Sequence, residues 1–249
     1  MEKISILALP RSGTTSLSSI FRFHSSRNEF LEEEAIRTLT TYRLSPSFDK
    51  AAINKFLVKR WEMSDMKVDA ASFNFIWPEI IDNVYPNMKY IYLLREPCEW
   101  IESFVSMLIY YYQLYGINKV PQWMTNYGAI YSPNFNWTYL VRLTEDPSCE
   151  SSQLIFSDFL DLWIKENLAL LKFCKNRRVC YLETSSISNS LAKLASFAQV
   201  LDSTLCLETH ANKGKFRQYF LSEERKEYIL HQTTKIVREF KKRADDKYG

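Results

Sequence analysis

The residues best suited to chemistry lie within the first sixteen positions. A β-branched and leucine-rich run, Lys3 to Leu9, stops at Pro10, and Arg11-Ser12-Gly13-Thr14-Thr15 follows. Helical spacing of Leu17, Ile20 and Phe21 then predicts a helix over Thr14 to Phe23. A small-residue loop between a buried strand and a helix N-terminus is an anion site, because backbone N–H groups point at the ligand and the helix dipole favours negative charge. Gly13 allows close approach, and Ser12, Thr14 and Thr15 offer hydroxyls to phosphate oxygens. Against the triphosphate pattern G-x-x-x-x-G-K-[ST], Gly13 and Thr15 fit, but Ala8 stands at the first glycine and Thr14 replaces the lysine. That lysine reaches the β- and γ-phosphates, so its loss argues for a shorter phosphate group. The cation has moved to Arg11.

A second constellation follows a second strong strand, Met88 to Leu94. Arg95-Glu96-Pro97 ends it, a helical pattern runs from Cys98 to about Tyr115, and Ser103 lies eight residues beyond Arg95. An arginine at a strand end can grip a phosphate as a charge-assisted fork, and a serine two turns into the helix can face the same point.

Pro10-Arg11-Ser12-Gly13-Thr14-Thr15 resembles the 5′-phosphosulfate loop of sulfotransferases that use 3′-phosphoadenosine 5′-phosphosulfate, and Arg95-Glu96-Pro97 with Ser103 resembles their 3′-phosphate site. The resemblance runs from residue 4 to about 220. It implies an α/β fold of the P-loop NTPase-like sulfotransferase type, a single domain, and transfer of a sulfuryl group to a hydroxyl or amine. It implies Arg11, Ser12, Gly13, Thr14, Thr15, Ser16, Arg95 and Ser103 as ligands of that donor and of its product, adenosine 3′,5′-bisphosphate, with no metal. Asn212-Lys213-Gly214-Lys215-Phe216-Arg217 is similar to the family's C-terminal basic-glycine segment, which implies Lys213 and Gly214 at the 3′-phosphate. Arg178 to Glu183 resembles the family's later strand. Leu182 and Thr184 stand there where a tyrosine and an aspartate are common, so the expected base contact is in doubt.

In such a reaction Arg11 is expected to stabilise charge on the leaving phosphate oxygen. Candidates for the group that takes the acceptor's proton are His24, Glu29, Glu32, Glu33, Glu34 and Asp69. Glu32 follows Arg11 by twenty-one residues, the position of the catalytic glutamate in protein-tyrosine sulfotransferases, and is the expected base. The acidic run Glu32 to Glu34 predicts a cationic small-molecule acceptor. His24, Glu33, Asp69, Trp123 and Tyr127 are expected to line its site, and the Tyr-rich residues 110–139, from Tyr110, Tyr111 and Tyr112 onward, to form the acceptor pocket or its lid.

The elements that must position these groups alternate. Strands are predicted at Lys3 to Leu9, Met66 to Ala70, Met88 to Leu94 and Arg178 to Leu182. Further helices are predicted near 29–41, 50–60, 75–84, 155–175 and 187–201, with a last one from Ser222. That alternation predicts a parallel sheet covered on both faces. Residues 116–153, rich in Tyr, Asn, Trp and Pro, show little periodicity and are expected to form an acceptor-site loop or lid.

Composition agrees with one packed domain: 249 residues, 46% hydrophobic and 15% aromatic. A net charge of +3, with the C-terminal basic residues interrupted by Glu239, Asp245 and Asp246, argues against a nucleic-acid partner. Five cysteines without CxxC spacing fit a reducing, cytoplasmic setting, and no apolar run reaches the length of a membrane span. A monomer or homodimer is expected. Two alternatives remain, a P-loop kinase or other phosphotransferase and a non-catalytic nucleotide-binding relative.

Overall fold

The structure is a computed structural model that describes residues 1–44, 50–116, 137–146, 150–206 and 221–245. Its centre is a five-stranded sheet of β1 (Ile4–Leu7), β2 (Ser26–Arg27), β3 (Val68–Asp69), β4 (Lys89–Leu94) and β5 (Val179–Glu183), in the order β2-β3-β1-β4-β5. Every pairing is parallel, with Ile6 opposite Ile91 and Ile91 opposite Cys180 in the central three strands. β1 and β4 are buried along their whole length, which is why they read as mostly apolar runs, broken only by Ser5 and Lys89, rather than alternating ones. Two apolar clusters fill the two faces. One gathers Tyr90, Tyr92, Trp100, Trp163 and Phe240, the other Ile6, Leu17, Ile91, Leu93 and Leu194.

The helices are α1 (Thr14–Ile20), α2 (Glu32–Leu44), α3 (Lys50–Ser64), α4 (Pro78–Val84), α5 (Pro97–Tyr115), α6 (Trp137–Glu145), α7 (Glu150–Phe173), α8 (Leu191–Ala198) and α9 (Glu223–Asp245). α5 starts as its sequence dictates. Pro97 occupies the first turn, the Glu96 carboxylate accepts the Glu99 N–H, and Gly116 ends the helix at φ 69°. Among the described residues, no helix is long and apolar enough to cross a membrane.

Four elements differ from expectation. α1 stops at Ile20, short of Phe23, and a 3-10 turn over Arg22–His24 leads through Ser25, at φ 51°, into β2. β2 has two residues, one of them a serine, and so leaves no apolar pattern to detect. Part of the aperiodic stretch 116–153 is helical: α6 buries Leu140 and Leu143, three positions apart, while its flanking Asn and Pro residues hide the period in the sequence. The helix expected over 187–201 is divided at Ser190 into a 3-10 segment, Thr184–Asn189, and α8.

Candidate functional site

The C-terminal ends of β1, β4 and β5 lie side by side, and the loop after β1 sits across them. Three successive carbonyls of that loop are bound from other elements. The Trp100 indole N–H donates to the Pro10 carbonyl at 2.7 Å, the Arg95 guanidinium to the Arg11 carbonyl at 2.7 Å, and the Thr184 hydroxyl to the Ser12 carbonyl at 2.7 Å. Since the peptide group is planar and trans, binding the Pro10 and Ser12 carbonyls turns the N–H groups of Arg11 and Gly13 away from Trp100 and Thr184 respectively. Arg11 at φ 65° and Gly13 at φ 98° give the loop the left-handed steps of an anion-binding nest. Gly13 is required twice over. Its φ is unfavourable for a side chain, and a Cβ there would stand 3.0 Å from Ile187 Cδ1.

Beside this loop lies a cavity of about 430 Å³. Arg11, Gly13, Thr14, Thr15, Ser16 and Arg95 form its donor-rich half, continued by Thr184, Ser185 and Ser188 after β5. The Arg11 Nε–H donates to the Ser103 hydroxyl at 3.3 Å. The two motifs, 92 residues apart in the chain, therefore meet at one guanidinium. Ser12 is buried behind the loop. Asn28, Glu29, Glu32 and Ser72 form the opposite, acceptor-rich half, with Met107 and Tyr111 of α5 as an apolar wall.

The residues expected at the acceptor divide sharply. Glu32 lines the cavity. Glu33 does not: it sits on the outer side of α2, where its carboxylate pairs with Arg37 in solvent, as Glu34 pairs with Lys59. Helical spacing turns three consecutive carboxylates in three directions, so the acidic run does not act as a block. Asp69 is fully buried and spent on Arg60. His24 is bonded to the Thr204 hydroxyl at 2.8 Å, away from the cavity. Trp123, Tyr127, Lys213 and Gly214 lie outside the described residues.

Glu29, one of the candidate bases, is set apart from the other carboxylates by its surroundings. Its backbone is left-handed at φ 52°, one carboxyl oxygen accepts the Ser72 N–H at 2.9 Å, and the other is shielded from solvent with no partner. Burial, reinforced by the charges of Glu32 and Asp69 and opposed by the Ser72 bonds, pushes its carboxyl from 4.5 up to about 7. Burial also raises Glu32. A carboxyl that holds its proton more tightly when folded costs stability as pH rises. The cost is absent below 4.5, grows between 4.5 and 7, and is complete above 7. Glu29→Gln is therefore expected to be neutral in thermal stability near pH 4 and stabilising above pH 7, by on the order of 3 kcal/mol at most. Melting curves across that range check it, and a pH-independent difference would contradict the burial.

A parallel sheet flanked by helices, whose first strand feeds an arginine-bearing loop and a helix, defines an α/β protein of the strand–loop–helix class. The model of the sulfotransferase domain family matches residues 1–175, and the chain belongs to that family. No curated protein sequence matches it. Among solved structures it is similar to a sulfotransferase from Alicyclobacillus acidocaldarius, at TM-score 0.50 and 10% identity, over 98% of this chain and 96% of that one. It is also similar to the sulfotransferase domain from the curacin biosynthetic pathway, at TM-score 0.48 and 17% identity, over 94% and 97%. The likeness to the Alicyclobacillus protein is one of fold.

Proposed function

We propose that the protein transfers a sulfuryl group from 3′-phosphoadenosine 5′-phosphosulfate to a hydroxyl or amine of a small-molecule acceptor, without a metal. The observation that carries this reading is the meeting of the two phosphate motifs: Arg11 donates to Ser103, and Arg95 holds the Arg11 carbonyl. The donor supplies its sulfuryl group on a phosphosulfate anhydride. The loop residues fit such a group, since Arg11, Thr14, Thr15 and Ser16 present donors to a cavity into which Gly13 admits close approach.

In this reading the Arg11 guanidinium neutralises charge on the leaving phosphate oxygen. Arg95 and Ser103 hold the 3′-phosphate, with Lys213 and Gly214 closing over it. Glu32, partly buried on the acceptor side, takes the proton of the attacking group. Met107 and Tyr111 exclude water from that side. Four buried cysteines, Cys98, Cys174, Cys180 and Cys206, are free thiols, which favours a reducing compartment such as the cytoplasm.

Thermal shift tests the reading. Adenosine 3′,5′-bisphosphate at about 100 times its Kd, without magnesium, is expected to stabilise by ~2.7 kcal/mol. That is several degrees for a domain of this size. Stabilisation by Mg-ATP alone would make the protein a phosphotransferase instead. Arg95→Ala should weaken adenosine 3′,5′-bisphosphate by about 10–100-fold, the loss of a charge-assisted contact of ~1.5–3 kcal/mol. Adenosine 5′-phosphosulfate, which lacks the 3′-phosphate, should lose less, only through the Arg11 carbonyl that Arg95 supports. Equal losses for the two ligands would remove Arg95 from the 3′-phosphate.

A further inference from the structure

The cavity is electrically divided. On one side of its lining stand the cations Arg11 and Arg95 and the hydroxyls of Thr14, Thr15 and Ser16. On the other, three neighbouring residues offer acceptors without donors to match. Glu29 keeps one oxygen shielded and unpartnered, the Asn28 side-chain oxygen is likewise shielded and unpartnered, and Glu32 adds a second carboxyl to the same wall. Native interiors satisfy such atoms almost always, so two in adjacent residues that both line one cavity mark a place where a turned side chain meets a ligand that completes the bonding.

The fold holds this wall at a cost. Glu29 and Leu31 both adopt left-handed backbone angles, 52° and 55°. Between them the Phe30 carbonyl accepts from buried Arg60 at 2.7 Å, which fixes the turn from behind. On the inner side, the Asn28 amide N–H reaches the Thr15 hydroxyl at 3.4 Å, tying the acceptor wall to the phosphate loop. Strained residues held by buried partners beside a cavity belong to sites rather than to ordinary turns.

We propose that Asn28 and Glu29 form an ammonium subsite, so that the acceptor is a molecule carrying a protonated amine on an apolar body. An ammonium group brings three N–H donors and a positive charge to two acceptor oxygens and two carboxyls. A neutral hydroxyl brings one donor and leaves the rest unpaired. Met107 and Tyr111 face the same space and suit the apolar body. A divalent cation is the poorer match, because calcium takes 6–8 oxygens and this wall offers few. Among the described residues no cluster of three acidic, His or Cys side chains is placed to hold a metal. The proposal rests on the sulfuryl-transfer reading for the other half of the cavity. It assigns Glu29 to holding the acceptor and leaves Glu32 for the reacting proton.

The test is calorimetric titration at pH 8 in the presence of adenosine 3′,5′-bisphosphate, with two matched pairs of probes, benzylamine against benzyl alcohol and hexylamine against hexan-1-ol. Each amine is expected to bind at least about tenfold more tightly than its alcohol, the scale on which unpaired buried groups discriminate. Glu29→Gln should reduce that preference to within about threefold, while adenosine 3′,5′-bisphosphate still stabilises the variant, which shows that it is folded. Glu32→Gln should keep most of the preference. Equal binding of amine and alcohol, no binding of either, or a preference that survives in Glu29→Gln overturns the proposal. Amine preference without adenosine 3′,5′-bisphosphate binding would uphold the subsite and overturn the donor reading. Nucleotide binding without amine preference would do the reverse.

Discussion

Replacing Arg11 with alanine is expected to lower sulfuryl transfer by about 10²–10³-fold, the usual effect of deleting one group aimed at developing charge. The expectation rests on where the side chain is held. Arg11 sits at φ 65°, its carbonyl is bound by Arg95, and its Nε–H is directed at Ser103, so the guanidinium stands at the meeting point of both phosphate motifs. A guanidinium stabilises charge without giving up a proton. Arg11→Lys should recover part of the loss, because the charge returns without the planar fork. Release of adenosine 3′,5′-bisphosphate from the donor, followed with any acceptor the wild type uses, measures both variants. Wild-type rates in Arg11→Ala would remove the residue from the mechanism, and nucleotide-induced stabilisation of the variant separates a catalytic loss from a folding one.

The second large effect concerns stability. Arg60→Met is expected to cost about 3–5 kcal/mol, because it leaves the Asp69 carboxylate buried without its partner. Arg60 and Asp69 are both fully buried and bonded to each other through both carboxylate oxygens, and Asp69 also accepts the Ala71 N–H at 3.1 Å. Arg60→Met combined with Asp69→Asn should cost clearly less than the two single changes added, since the stranded charge is gone. Urea denaturation of the three variants checks this. A loss below about 1 kcal/mol for Arg60→Met would mean that water reaches Asp69. The pair also supports the site, since Arg60 holds the Phe30 carbonyl between the two strained residues Glu29 and Leu31.

The sequence made β1, β4 and the phosphate loop legible because they are local: buried runs of apolar residues, one glycine, one arginine and a helix start. Arg95 and Ser103 were legible through their spacing along one strand and one helix. The acceptor wall was not. Glu32, Glu33 and Glu34 look equivalent as letters, and only the helix turn decides that Glu32 faces inward while Glu33 and Glu34 meet Arg37 and Lys59. Asp69 looked available because its partner Arg60 lies on a different element, and long-range pairing leaves no local trace. Glu29 precedes a helix and follows a two-residue strand, so no periodicity marks it. Thr184 carried one signal: it departed from the family pattern at a strand end, and the structure gives it the Ser12 carbonyl.

The bond between Thr184 and the Ser12 carbonyl spans 172 residues, and Ile187 closes on Gly13 from the same segment. Trp100 and Arg95 support the first two carbonyls of the loop, but the third carbonyl and the back of Gly13 wait for a segment 172 residues further along the chain. A nascent chain halted at residue 175, where the family match ends, lacks β5 and the wall behind the loop. The family match thus stops short of a segment on which the loop's shape depends, and a fragment cut there would carry the motif without the fold behind it.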